Sequence, residues 1–157
     1  LVIYALDKTA HSELNKLFEE REVHKVYQAL SIEPTDEDWE LAKTFHWHSK
    51  ILRGKKRAYP AHNGKIAKTT AVWRGKQELE IGVVNKWELH PLTGRPHQLR
   101  FEMFHHGYPI WGDKLYGGET NYPHEGIALR AVQISISEED SAGLGIPKEF
   151  KVAGLFD

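Results

Sequence analysis

The sequence contains no cysteine, which excludes disulfides, cysteine-ligated zinc, iron–sulfur clusters and thiol nucleophiles. No apolar run approaches the about 20 residues that span a bilayer, and no secretory leader is visible, so a cytoplasmic protein without a membrane partner is expected. Neither sign of charge dominates. The 21 lysines and arginines against 22 aspartates and glutamates give a formal net charge of −1, which excludes a strongly basic, histone-like protein but not a local basic face. Internal repeats and low-complexity tracts are missing too. What is present is 157 residues, 40% hydrophobic and 27% charged, which is enough apolar material for one core and too much for a disordered chain. A single domain over 1–157 is expected.

The chain opens on Leu1-Val2-Ile3-Tyr4-Ala5-Leu6, a continuous apolar run that reads as a strand buried on both faces. Buried strands seldom start at a first residue, and there is no initiator Met, so the natural protein is expected to continue upstream. Thr9 to Glu22 carries Leu14, Leu17 and Phe18 at helical spacing, with Thr9 as a cap. Val23 to Leu30 alternates as a strand. Ser31 to Trp39, with Pro34 and a run of acids, reads as an exposed turn. Further strands are expected over Ala67–Trp73, within Leu79–Leu89, over Ile127–Ser137 and over Phe150–Leu155. Leu92 to Pro96 makes a turn into a helix from His97 to His106, with Leu99, Met103 and Phe104 apolar and Gly107 ending it. Strands outnumber helices and regular crossover helices are lacking. The fold class is therefore α+β, with a mixed, largely antiparallel central sheet and flanking helices.

Three groups of residues could carry chemistry. His46 and His48 share a strand face, and His105 and His106 are adjacent on a helix. There is no His-Glu-x-x-His and no evident third ligand, so these read as exposed histidines and no metal is expected. Lys50 to Lys76 holds nine basic residues and no acid, among them Lys55, Lys56 and Arg57. It is either a solvated loop, as charge runs usually are, or a phosphate-contacting segment whose Trp47, Tyr59, His62 and Trp73 would meet unstacked bases. The third group is the stretch HPLTGRPHQLRFEMFHHGYPIWGDKLYGG, in which Arg100 sits among Leu99, Phe101 and Met103. An arginine in apolar company holds an anion, either a structural carboxylate or a substrate.

LTGRPHQLR followed by GYPIWGDKLYGG resembles the signature of the pseudouridine synthases that modify bacterial large-subunit ribosomal RNA and transfer RNA. The opening stretch through KVYQAL, and GKIAKT at 64–69, resemble further segments of that family in the same order. The resemblance implies a pseudouridine synthase fold and an isomerase that needs no cofactor and no metal. Such an enzyme breaks the N-glycosidic bond of a uridine in ribosomal or transfer RNA, turns the base and rejoins it through C5, on a nucleotide taken out of the stack. By the same resemblance Tyr27, of K-x-Y, lies against the uracil and is a candidate to take the C5 proton. Arg100 pairs with the catalytic aspartate, and Arg95 and His97 join Lys55, Lys56 and Arg57 in holding RNA. The partner is RNA and a monomer is expected.

The family's aspartate lies in an HRLD-x-x-TSG segment that would directly precede Leu1 and is not in these residues. Asp7 sits where the family has a variable polar residue, and Asp113, in GDKLYGG, reads as a turn residue capping a loop. The chain by itself is therefore expected to be inactive, with Arg100 lining an open cleft or holding another anion or side chain. Tyr27 and Arg100 should border one pocket with Leu1 close by. The rival reading is a non-catalytic RNA-binding module of the same fold, and a more distant one is a histidine-based metal hydrolase.

Overall fold

Alternation of small and aromatic residues along the strands sets the architecture. The computed structural model describes residues 1–32, 39–80 and 82–156. It contains helix α1 (Lys8–Glu20), strands β1 (His24–Ser31), β2 (Thr44–Arg53), β3 (Ala58–Pro60), β4 (Lys65–Leu79) and β5 (Gly82–Pro91), helix α2 (Gln98–His105), strand β6 (Leu129–Ser135), helix α3 (Glu138–Leu144) and strand β7 (Glu149–Lys151). The strands form one seven-stranded sheet in the order β3-β2-β4-β5-β1-β6-β7. Every pairing among them is antiparallel, hairpins joining β2 to β3 and β4 to β5. Gly75, at φ 90°, stands where the register of β4 against β5 shifts between Trp73 and Lys76.

On one face of the sheet Phe45, Ala71, Leu89 and Tyr27 lie in register across four strands. Ala29, Ala67 and Ala71 are fully buried there and leave room for Trp47 and Trp87 beside them and for Leu99 and Met103 of α2 above. The buried indoles find partners: Trp73 Nε1 donates to Asn85 at 3.0 Å and Trp87 Nε1 to Ser31 Oγ at 3.1 Å. The opposite face presents His46, His48, Lys68, Thr70, Glu88 and His90, all exposed or half-buried. This one-sided burial is the pattern of an antiparallel sheet with a single core.

Several sequence expectations are corrected. Residues 1–6 form no strand among the described residues. Leu1 and Ile3 pack on Leu17, Val23, Ile134 and Ile136, whereas Val2, Tyr4 and Leu6 are exposed, so the run is covered on one side only. Helix α1 is capped by Asp7, whose carboxylate accepts from Ala10 N at 2.8 Å, and not by Thr9. Phe104 is exposed and Phe101 takes its place in the core. Trp47 and Trp73 are core residues at 5% and 7% exposure, so they are not platforms for bases. The basic segment consists mostly of the paired strands β2, β3 and β4. The turn expected between Ser31 and Trp39 falls largely on 33–38, outside the described residues.

Candidate active site

Tyr27 on β1, Arg95 and His97 in the turn after β5, and Arg100 on α2 line one pocket of about 260 Å³. Lys25, Gln98, Leu99 and Leu129 line it too, with Pro91, Thr93 and Gly94 at its edge toward the turn. Residues far apart in sequence meet because β1 is the neighbour of β5, and the turn leaving β5 places α2 over the same sheet face as Tyr27. Leu1 lies close by: its amino group donates to Ala131 O at 3.3 Å, and Ala131 is the cross-strand partner of Tyr27.

The Arg100 guanidinium holds another side chain, Asp113. Nε donates to Oδ2 at 2.7 Å and Nη2 to Oδ1 at 2.6 Å, the bidentate fork that planar guanidinium and carboxylate favour. Asp113 is 1% exposed and Arg100 is partly open to the pocket. The hydrogen bonds to Asp113 push the arginine further up in pKa, so its charge is permanent. Asp113 does turn the loop, since its carbonyl accepts from Tyr116 N and Gly118 N. Its carboxylate, however, does not cap that loop; it reaches back to α2. A side chain at Gly118 would collide with the Ile110 carbonyl oxygen, which accounts for glycine at this point of GDKLYGG. The Arg100 guanidinium also sits 5.2 Å from the Tyr116 ring centre.

His97 stands in the left-handed region at φ 59°, immediately before α2. A histidine there is uncommon and is held by its side chain. Its Nδ1 lies 3.1 Å from the Tyr116 hydroxyl, which accepts from Ala58 N at 2.6 Å. The phenol oxygen accepts from the amide and still has a proton and a lone pair for Nδ1, so this bond holds the ring in place in either tautomer. Burial, followed by the charges of Arg100 and Arg53, lowers the pKa of His97, so the ring is neutral at pH 7.

Behind the pocket lies a directional polar network. Gln98 Oε1 accepts from Arg95 N at 3.0 Å and from Thr93 Oγ1 at 2.7 Å. Gln98 Nε2 donates to Lys68 O and to Thr69 Oγ1. Thr69 in turn donates to Glu102 Oε2 at 2.5 Å, and Ser49 donates to Glu102 Oε1 at 3.3 Å. Glu102 is fully buried, and burial pushes its pKa up to about 7 against the opposing pull of these hydrogen bonds. Arg95 is braced a second time, with Nε donating to Ile66 O at 3.0 Å.

Tyr27 is half-buried, and its hydroxyl makes no hydrogen bond among the described residues. Burial raises its pKa, so the phenol is neutral and free to meet a ligand. Lys25, two residues earlier, also faces the pocket, and burial lowers its pKa.

Sequence reasoning thus brought Tyr27, Arg95, His97 and Arg100 to one place. Lys55, Lys56 and Arg57 are not in the pocket; they occupy the exposed bend between β2 and β3. The bend is nevertheless tied to it, because Ala58 bonds Tyr116 and Tyr116 bonds His97. Sequence reasoning missed Lys25, Asp113, Tyr116, Gln98 and Glu102. The K of K-x-Y and the D of GDKLYGG were the available signals for the first two. Among the described residues no three histidines, aspartates or glutamates gather as a metal-binding group. No helix among them is long and apolar enough to cross a membrane.

Comparison with known proteins agrees with this geometry. Residues 1–106 match the family model described as RNA pseudouridylate synthase. The dual-specificity RNA pseudouridine synthase RluA of Vibrio parahaemolyticus is 34% identical over 140 residues, covering 86% of this chain and 54% of the relative. RluA of Haemophilus influenzae is 34% identical over 144 residues, covering 87% and 61%. The chain thus spans little more than half the length of these curated relatives. Among solved structures, human RNA pseudouridylate synthase domain containing 1 superposes with a TM-score of 0.70 at 28% identity, covering 84% of this chain and 57% of that one. With the family model matched over residues 1–106 and relatives 34% identical over most of its length, the chain belongs to the RNA pseudouridylate synthase family.

Proposed function

We propose that the protein carrying this chain isomerises uridine to pseudouridine in ribosomal or transfer RNA, with Tyr27 and Arg100 as catalytic residues and Arg95, His97, Lys55, Lys56 and Arg57 as RNA-binding residues. The observation that carries the reading is the meeting of Tyr27 and the Asp113-anchored Arg100 in a single pocket. In the reaction the N1–C1′ bond of uridine breaks, a C5–C1′ bond forms, a proton leaves C5 and one is taken up at N1. No external reactant is needed.

The residues suit these steps. In this reading the Tyr27 ring offers a flat apolar face for uracil, and its unbonded hydroxyl accepts the C5 proton through a lone pair. Since burial opposes the phenolate, the hydroxyl must release its own proton to water in the open pocket as it takes the proton from C5. Arg100 presents a permanent positive charge whose Nη1 makes no hydrogen bond among the described residues, leaving one edge free for a catalytic carboxylate or the substrate. Neutral His97 can hydrogen-bond the RNA through Nε2. The reading also carries with it a monomer acting in the cytoplasm, one folding unit over this stretch, and no cofactor or metal.

The test measures pseudouridine by chromatographic separation of nucleosides after incubation with ribosomal and transfer RNA transcripts. Two proteins are compared: the 157-residue chain, and the same chain joined downstream of an HRLD-x-x-TSG segment. Product only from the longer protein supports the reading. Product from the short chain alone would reassign the nucleophile. RNA binding without product from either would favour a non-catalytic RNA-binding module.

A further inference from the structure

A second, larger trough of about 680 Å³ lies beside the pocket, between α1 and the turn after β5. The two cavities adjoin, with Lys25, Pro91, Thr93, Gly94 and Arg95 lining both. Beyond the shared wall the trough is lined by Arg21 at the end of α1, His24 at the start of β1 and Lys68 on β4, with Glu19 the one acid. Arg21, Lys25, Lys68 and Arg95 make no ion pair among the described residues. Four basic side chains around one trough without carboxylate partners repel one another, and a bound anion relieves that cost. Phe18, at 43% exposure, lies in the same trough, with the Lys25 amine 5.7 Å from its ring centre. An exposed ring beside unpaired cations is the composition of a single-strand binding surface, with cations for phosphates and a flat face for a base.

We propose that this trough holds the single-stranded RNA flanking the target nucleotide, with Arg21, Lys68 and Arg95 on successive phosphates and Phe18 stacked on a flanking base. The inference rests on the reading of the pocket as a uridine site, because only then does a strand lead out of it. It goes beyond that reading by giving the strand a path along α1, away from the β2–β3 bend that the sequence pointed to. Direction follows from the shared wall: Arg95 lies at the junction, whereas Arg21 and Lys68 touch only the trough. A ligand confined to the pocket therefore never meets them.

The experiment measures binding of the full chain to two RNAs, a uridine-centred trinucleotide and a single strand of about ten nucleotides, by fluorescence anisotropy over a salt series. The variants are Arg21→Gln with Lys68→Gln, and the charge-keeping pair Arg21→Lys with Lys68→Arg. Both positions are exposed, and thermal melts check that each variant folds. The neutral pair should bind the longer RNA more weakly, with a salt slope shallower by about 1.4, or about 0.7 for each lost phosphate contact. The trinucleotide should be unaffected, and the charge-keeping pair should match the parent on both RNAs. An unchanged slope on the longer RNA, or equal losses on both RNAs, overturns the trough while leaving the uridine pocket standing. If the parent chain binds neither RNA, the trough and the pocket reading fall together.

Discussion

The cations of the pocket and those of the β2–β3 bend are the same residue types under opposite constraints. Arg100 is locked in a bidentate pair with a buried aspartate, and Arg95 is fixed at its backbone by Gln98 and at its side chain by Ile66. Lys55, Lys56 and Arg57 are exposed on a short bend and take part in no ion pair among the described residues. A fixed cation costs desolvation and side-chain entropy in advance and returns orientation, which is what a reacting base needs. A loose cation costs nothing in advance and returns only attraction, which is what a long polyanion needs. The contrast separates positioning from affinity and can be broken at either end.

The largest effect is expected at the buried anchor. Asp113→Ala leaves the Arg100 guanidinium without its carboxylate and should destabilise the fold by about 3 kcal/mol, read from urea denaturation. A loss below about 0.5 kcal/mol would mean that water replaces the carboxylate and that Arg100 is not fixed by it. Next comes Tyr27→Phe, which keeps the ring and removes the proton-transfer group. In the active protein, turnover should fall by about 100-fold or more with stability unchanged. Near-normal turnover would reduce Tyr27 to a stacking surface.

The network behind the pocket gives a pH signature of intermediate size. Burial holds the Glu102 pKa at about 7 in the folded chain, above the ordinary 4.5. Between those values the folded state binds more protons than the unfolded one, so this group's contribution to stability rises as pH falls from about 7 to about 4.5 and is lost as pH rises back through 7. Other carboxylates act the other way: Glu88 resists being raised by burial because Arg74 and His90 hydrogen-bond it, and ends below the usual range. The informative quantity is therefore the difference between the parent and Glu102→Gln. That difference should change by on the order of 3 kcal/mol across the window, measured by urea denaturation at each pH. A pH-independent difference would mean that Glu102 does not titrate there.

The smallest effect on the fold is expected at the bend. Replacing Lys55, Lys56 and Arg57 together by Gln should move stability by less than about 0.5 kcal/mol. RNA affinity should nevertheless drop, and its salt slope should become shallower by about 2, at about 0.7 per contact. An unchanged slope would make the bend a solvated loop and nothing more.

How far the sequence could be read differs by residue for physical reasons. Tyr27, Arg95, His97 and Arg100 were legible because the motifs that carry them occur in a fixed order, and an antiparallel sheet with β1 beside β5 converts that order into proximity. Trp47 and Trp73 were misplaced by their basic neighbours, although the parity of β2 held the answer: His46 and His48 face outward, so Trp47 faces in. The opening apolar run has hydrophobic residues at both parities, so only the tertiary cover over Leu1 and Ile3 decides which side is buried. Asp113 was legible as a turn residue from its glycines. The reach of its carboxylate to α2 depends on a loop path that no local pattern records.

The most direct test is single-turnover pseudouridine formation by the active protein at saturating enzyme, comparing Arg100→Lys with the neutralised bend. Lysine keeps the charge but not the fork to Asp113. The expected result is a large drop in the maximal rate for Arg100→Lys with little change in half-saturation, and the reverse for the bend: an unchanged maximal rate reached only at higher enzyme concentration. If Arg100→Lys leaves the maximal rate intact, or the bend variant lowers it as much, fixed and loose cations do not divide positioning from affinity.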